Sequence, residues 1–191
     1  MIKYLKYYIL LVSIIFSSEW KIMQEGNIWI GVIESEYPKC KAEIFIDEPL
    51  DAILNVIDDV SNYKYFFDSI IISDINNNNE VRLAIDMPLL FTDRDYTVKF
   101  HKIEDSNSIK YLYDAVVSDS YPEQRSFVRL KNAQGGWVLT SLDLNKTQVE
   151  YYWNGDMGGN FPDWAYSKAW IKQGNEIMSN LKKEVKKRNI K

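Results

Sequence analysis

The chain offers few side chains for nucleophilic, acid–base or metal chemistry. It has one cysteine, Cys40, and one histidine, His101, among 191 residues, so neither an intrachain disulfide nor a Cys- and His-based zinc motif is possible. A Ser-His-Asp or Cys-His nucleophilic site would have to use His101. The alternation of residues 97–101 places that side chain beside Lys99 on the polar face of a strand. The sequence therefore predicts no catalytic residue, no metal and no cofactor.

Aromatic side chains are far more plentiful, with six Trp, thirteen Tyr and eight Phe. Such rings fill a core or line a cavity for an apolar ligand, which Tyr hydroxyls and Trp N–H groups can orient. The length suits one domain with a sizeable core. A hydrophobic fraction of 46% and a charged fraction of 26% are typical of a folded globular protein.

Two amphipathic helices are predicted from the spacing of apolar residues. The first follows Asp47-Glu48-Pro49, an acid and a proline that favour a helix start. The second begins near Phe161-Pro162-Asp163 and runs to about Lys187. Its predicted apolar stripe consists of Trp164, Ile171, Met178, Leu181 and Val185.

Apolar and polar residues alternate with a period of two through much of the remaining chain. The pattern is clearest over residues 28–32, 42–46, 81–86, 96–100 and 147–153, and it is typical of strands covered on one face. The order of strands, helix, strands and long helix predicts an α+β domain. In this fold class a curved antiparallel sheet wraps around the terminal helix.

The N-terminal residues differ from the rest. Lys3 and Lys6 precede an apolar run from Tyr7 to Phe16, which Ser17 and Ser18 follow, the order of a secretory signal peptide. The run is shorter than the roughly 20 residues that cross a bilayer as a helix. Residues 1–18 are therefore predicted to direct the protein to the periplasm or the exterior, with an uncleaved membrane anchor as the alternative. Residues 19–191 then form one domain.

The charge balance bears on possible partners. The formal net charge is −4, and removal of Lys3 and Lys6 makes it −6, which disfavours binding to nucleic acid phosphates. One basic cluster ends the chain, between Lys182 and Lys191. Its cations complement the negative end of the helix dipole, and the alternative is a membrane-surface patch.

Several short motifs, in order, resemble those of the START (StAR-related lipid-transfer) family of the helix-grip superfamily. The strongest is residues 87–96, where a proline precedes Arg94-Asp95-Tyr96. Residues 128–130, 136–139, 147–151 and 156–164 follow, so that the resemblance spans nearly all of the domain. It implies a helix-grip fold, a curved antiparallel β-sheet around a long C-terminal α-helix, with a pocket between them.

The resemblance and the strand alternation together predict the walls of this pocket. The expected ligand-binding residues are Met87, Tyr96, Val98, Phe100, Trp137, Tyr151, Trp153, Trp164, Ile171 and Met178. Arg94 and Asp95 are expected to form an ion pair or a network that pins a loop. Gly158 and Gly159 are expected in a tight turn, and Pro162 at a helix start.

The function that the resemblance implies is non-catalytic binding or transfer of a lipid or another apolar molecule. A sterol, an acyl chain, an isoprenoid and a quinone all fit this description. The protein is expected to be a monomer that touches membranes transiently and binds no nucleic acid.

Two other functions stay open. Cyclases and aromatases of the superfamily use such a pocket for catalysis, which needs an ionisable group aimed inward. The alternation instead sends Arg82, Lys99 and Glu150 outward, and no inward carboxylate or histidine is evident. In the other alternative, aromatic rings fill the interior completely, and the protein is a closed interaction domain.

Overall fold

The computed structural model describes residues 19–88, 91–159 and 161–189, so the predicted signal peptide lies outside the described residues. A 3-10 helix, Val60–Tyr65, follows the first of two α-helices. The helices and the ten strands are, in chain order, β1 (Lys21–Gln24), β2 (Ile28–Ile33), β3 (Lys39–Ile46), α1 (Leu50–Ile57), β4 (Ile70–Ile75), β5 (Glu80–Ile85), β6 (Asp93–Glu104), β7 (Ser108–Ala115), β8 (Phe127–Arg129), β9 (Gln134–Asp143), β10 (Lys146–Asn154) and α2 (Asp163–Asn189).

The strands form one sheet in the order β1-β2-β3-β10-β9-β7-β6-β5-β4, and every neighbouring pair along this path is antiparallel. The short β8 pairs in parallel with the start of β6. Register shifts interrupt three of the pairings, β1–β2, β4–β5 and β9–β10, and such irregularities bend a sheet. The predicted α+β class, with a curved antiparallel sheet and a long C-terminal helix, is confirmed.

A chain of aromatic rings fills the middle of the sheet's inner face, the face that α1 and α2 cover. Phe67 stacks on Trp137 with ring centroids 6.3 Å apart, and Trp137 contacts Tyr151 at 4.5 Å. Tyr151 in turn stacks on Trp153 at 5.4 Å. All four side chains are at most 5% exposed. The four rings therefore pack against one another in the core.

Helix α2 approaches the sheet most closely where it crosses β2 and β3. A Cβ atom at Gly174 would lie 2.9 Å from Ile30 Cδ1 and 3.3 Å from the Cβ of Ala42, so only glycine allows this separation without a shift. A straight helix cannot follow a bent sheet along its whole length, and the N-terminal half of α2 stands away from β5 and β6 with cavities beneath it.

Within the described ranges, no helix is both long and apolar enough to span a membrane.

The outer face of β6 carries a buried ionic network. Asp95 is completely buried, and its carboxylate accepts two hydrogen bonds from Arg129 at 2.8 Å and one from Arg82 Nε at 3.0 Å. The predicted partner, Arg94, does not take part. Arg82 lies on the outer face as the alternation predicts, but it is only 7% exposed, because residues 116–129 cover this part of the sheet.

Replacement of Asp95 by Asn should strongly destabilise the fold. Two buried guanidinium groups would lose their only anion in this network, which costs about 3 kcal/mol of unfolding free energy. Urea unfolding measures the change. The control is Asp114→Asn on β7, a side chain that is 55% exposed, and it should alter the free energy by less than about 0.5 kcal/mol. Equal effects of the two substitutions would contradict the assignment of Asp95.

Candidate functional site

A cavity of about 220 Å³ lies under the N-terminal half of α2. Its wall is mainly apolar, with contributions from the end of β5, the segment before β6 and the first turns of α2. The Phe91 and Phe161 rings meet at 4.9 Å on one side of it. The apolar wall residues are Ile85, Met87, Pro88, Phe91, Met157, Phe161, Trp164, Ala165 and Ala169. We call this space the apolar cavity.

Arg94 brings a charge to the wall of the apolar cavity. Its side chain is on the inner face of β6, is 3% exposed, and lies 5.4 Å from the Phe161 ring centroid. The guanidinium donates to the backbone carbonyl oxygens of Thr92, Met157 (3.0 Å) and Gly158 (3.4 Å), and it has no carboxylate within ion-pair distance among the described residues. Because burial disfavours the cation, the pKa of Arg94 is lowered from its ordinary value.

A second cavity, also about 220 Å³, lies beside the first. Tyr96, Tyr113 and Trp153 form its aromatic wall, and polar residues also border it, namely Arg129, Lys131, Asn132, Gln134, Asn154, Asp156 and Gln173. We call it the tyrosine cavity. The Tyr113 hydroxyl lies 3.1 Å from the Tyr151 hydroxyl behind this wall. Burial raises the pKa of Tyr96 and of Tyr113 well above the ordinary value, and that of Tyr151 to about 12. The hydroxyls are therefore protonated at neutral pH and act only as hydrogen-bonding groups.

The two cavities adjoin at Met157, which borders both together with Ile85 and Gln173. Met157 lies in the loop between β10 and α2. Gly158 and Gly159 follow it with φ of +60°, a conformation that other residues rarely adopt. The Asp156 carboxylate accepts the Gly158 N–H at 2.8 Å and closes the turn. This loop places a flexible thioether side chain, 8% exposed, between the cavities.

The loop also prepares the start of α2. Pro162 directly precedes Asp163, the first residue of the helix, and its carbonyl oxygen accepts the N–H of Ala165 at 2.9 Å. The segment from Met157 to α2 is thus held from both ends, by the helix and by the hydrogen bonds of Arg94.

Few groups near the cavities are suited to acid–base or nucleophilic chemistry. The Cys40 thiol is buried, and burial raises its pKa to about 12, so it is not a thiolate at neutral pH. Contrary to expectation, three carboxylates border the cavities, Asp86 and Glu176 at the apolar cavity and Asp156 at the tyrosine cavity. Asp156 and Glu176 each accept a backbone N–H, Glu176 that of Ser69 at 2.6 Å, and Asp86 is exposed. No cluster of three or more metal-binding side chains occurs in the part of the chain that is described.

Four of the ten expected wall residues border these cavities. Met87 and Trp164 lie at the apolar cavity, and Tyr96 and Trp153 at the tyrosine cavity. Trp164 was expected on the buried stripe of the helix, and this was wrong. Its side chain is 73% exposed, because it lies at the rim where the apolar cavity opens to the surface beside Pro88.

The other six expected residues border neither cavity. Four of them are buried in the core, namely Val98, Trp137, Tyr151 and Met178. The other two, Phe100 and Ile171, are half-buried against that core. Direct contact of these side chains with a ligand stays a prediction.

Sequence reasoning missed several wall residues, among them Phe91, Arg94, Met157 and Phe161. Arg94 was assigned to the sheet edge, although it lies two positions before Tyr96 and so shares its face. The other three are apolar residues within motifs where only glycine and proline received a role. Their position in loops between two elements was the signal that could have identified them as wall residues.

Comparisons with solved structures identify the fold. Human StAR-related lipid transfer protein 5 has a TM-score of 0.82 at 18% identity, covering 91% of this chain and 89% of that chain. A STAR-related lipid transfer protein from Xanthomonas axonopodis has a TM-score of 0.75 at 19% identity, covering 87% and 98%. The Zhui aromatase/cyclase from Streptomyces sp. R1128 has a TM-score of 0.57 at 17% identity, covering 80% and 96%.

No family model and no curated protein sequence matches the chain. The structural similarities confirm the helix-grip fold of START domains that the sequence motifs predicted.

Proposed function

We propose that this protein binds one lipid or similar apolar molecule in the space formed by the apolar and tyrosine cavities, without changing it chemically. The observation that carries the proposal is the apolar cavity, whose wall is mainly apolar and contains one buried cation, Arg94. The exposed lysines Lys168 and Lys172 and the carboxylates of Asp86 and Glu176 also border it. An apolar wall with few polar groups is the usual composition of a site that binds an apolar compound and fixes its orientation.

The size of the two cavities favours a ligand that occupies both. Each has about 220 Å³, and ligand sites usually span about 300–1,000 Å³. A rotation of the Met157 side chain would join them, and methionine has three rotatable bonds for such an adjustment. An acyl chain that enters gains about 0.8 kcal/mol per methylene, before the costs of association.

Arg94 supports a ligand with an oxygen-rich, acidic head. A guanidinium has five N–H donors, and backbone carbonyl oxygens accept hydrogen bonds from three of its nitrogens. A buried cation is costly without a counter-charge. We therefore place a ligand carboxylate or phosphate at Arg94, with the hydrocarbon chain directed past Met157 towards Tyr96.

Binding is favoured over the two alternatives by the surroundings of the cavities. A cyclase would need a free inward acid or base, whereas Asp156 and Glu176 are hydrogen-bonded to backbone N–H groups, Asp86 is exposed and Cys40 is protonated. A closed interaction domain would have its apolar interior filled, whereas the apolar cavity leaves a recess lined mainly by apolar side chains under α2.

Arg94→Gln should separate acidic from neutral ligands. Loss of a charged hydrogen-bond donor should weaken dodecanoate binding about 10- to 100-fold, whereas dodecanol binding should change by less than threefold. Titration calorimetry measures both affinities. Arg125→Gln, at an exposed residue before β8, is the matched control and should leave both unchanged. Equal losses for the acid and the alcohol in Arg94→Gln would contradict a headgroup role for Arg94.

Met157→Trp should block the junction of the two cavities. The larger side chain leaves too little space for a chain that spans both, and dodecanoate and dodecanol should each bind at least tenfold more weakly. Urea unfolding of the variant checks that the fold is retained. Undiminished binding of both compounds by a folded Met157→Trp protein would rule out a ligand that passes Met157.

A further inference from the structure

The tyrosine cavity has a hydrogen-bonding group that the fold itself does not use. Tyr96 lines this cavity from the inner face of β6 and is 6% exposed, and its hydroxyl makes no hydrogen bond to a described residue. A phenol hydroxyl can both donate and accept a hydrogen bond. A buried hydroxyl is costly without a partner, so this position is favourable only where a molecule in the cavity supplies one.

Two further side chains around the same cavity have unused hydrogen-bonding groups. Gln173 borders both cavities from α2, on the side opposite the sheet, and its side-chain amide has no partner within the described ranges. Trp153 is 4% exposed in the same wall as Tyr96, and its Nε1–H is buried without an acceptor among the residues described. A hydroxyl, an amide and an indole N–H thus surround one space.

The neighbouring tyrosine is engaged, in contrast. The Tyr113 hydroxyl lies 3.1 Å from that of Tyr151, and its ring stacks on Tyr96 with centroids 6.2 Å apart. A Cβ atom at Gly135 would lie 2.6 Å from the Tyr113 hydroxyl oxygen, so the glycine leaves the space in which the tyrosine pair forms. Tyr113 therefore supports the Tyr96 ring without using its hydroxyl.

The charged groups that border the tyrosine cavity are paired with other parts of the protein. Arg129 binds the Asp95 carboxylate at 2.8 Å, and Lys131 lies 2.9 Å from Glu123. The Asp156 carboxylate accepts a backbone N–H. The groups left for a ligand are neutral, so the ligand group that fits them is a neutral oxygen, as in a hydroxyl or a carbonyl, and not a second charge.

The position of Tyr96 relative to Arg94 places this oxygen along the ligand. The two residues share one face of β6, and their Cα atoms are about 7 Å apart. Arg94 borders the apolar cavity and Tyr96 the tyrosine cavity, with Met157 between them. A chain whose acid lies at Arg94 therefore reaches Tyr96 only after an apolar stretch. A chain end made of carbon alone would leave the groups at Tyr96 unpaired.

We propose that the ligand is an oxygenated amphiphile, with an acid at one end and a hydroxyl or carbonyl oxygen towards the other, and that Tyr96 and Gln173 bind this second oxygen. This ligand class presupposes the proposed function, because it names what the same site binds. A site that hydrogen-bonds an oxygen rejects the analogue that lacks it, since its polar groups then stay unpaired.

Titration calorimetry of the full chain tests the ligand class. Fatty acids of eight, ten and twelve carbons are compared with ω-hydroxy acids of the same lengths. At the length that fits, the ω-hydroxy acid should bind at least as tightly as the fatty acid, because its hydroxyl exchanges water for Tyr96 and Gln173. The matched isomer is 2-hydroxydodecanoate, whose hydroxyl lies beside the acid and far from Tyr96.

Tyr96→Phe removes only the hydroxyl of this side chain. It should weaken binding of the ω-hydroxy acid about tenfold and change that of the fatty acid and of 2-hydroxydodecanoate by less than about threefold. Gln173→Leu should cause the same selective loss from the opposite wall. The control is Tyr65→Phe, at a side chain that is 75% exposed, and it should leave every affinity unchanged. Urea unfolding checks the fold, and Gln173→Leu decides if Tyr96→Phe does not fold.

Three results would overturn this ligand class. The first is an ω-hydroxy acid that binds at least tenfold more weakly than the fatty acid at every length. The second is an equal loss of both kinds of acid in Tyr96→Phe, and the third is unchanged affinity for ω-hydroxy acids in both variants. In each case the fatty acids still bind and the proposed function stands, whereas failure of every acid to bind would remove both.

Discussion

The candidate site depends on how α2 rests on the sheet. At Gly174 the helix backbone lies so close to Ile30 and Ala42 that no side chain fits between them, and this contact fixes the height of the helix over β2 and β3. The sheet bends away from a straight helix on the other side, over β5 and β6. Loop residues fill part of the space between the helix and the sheet there, and the two cavities are the part that stays empty. A larger residue at 174 would lift the helix and change the depth of the whole site.

Strand β6 connects the stability of the fold to the chemistry of the site. Its odd-numbered residue Asp95 faces outward into an ionic network with Arg82 and Arg129, and its even-numbered neighbours Arg94 and Tyr96 face the cavities. The network holds the strand in register from outside, where its charges are paired. Arg94, on the inside, is held by backbone carbonyl oxygens and forms no ion pair with a described residue. That difference in pairing is what makes Arg94 available to a ligand.

The sequence predicts the architecture well, because local periodicity determines it. Alternation over residues 147–153 and helical spacing after Pro162 identify β10 and α2 within a few residues, and the motif order predicts the helix-grip fold. The filling of the interior is not local. Trp137 contacts Tyr151 and stacks on Phe67, which comes from a distant segment, and no pattern along the chain shows this contact. Trp164 has helical spacing with the buried stripe, but it borders the apolar cavity and is 73% exposed.

The most direct measurement is native mass spectrometry of the gently purified protein, followed by exposure of the same protein to a mixed lipid extract. A hollow that holds one apolar molecule predicts a species heavier than the bare protein by the mass of one lipid, which collisional activation removes. Repeated preparations that show the bare chain alone, and that take up nothing from the extract, would contradict the existence of a binding site under α2.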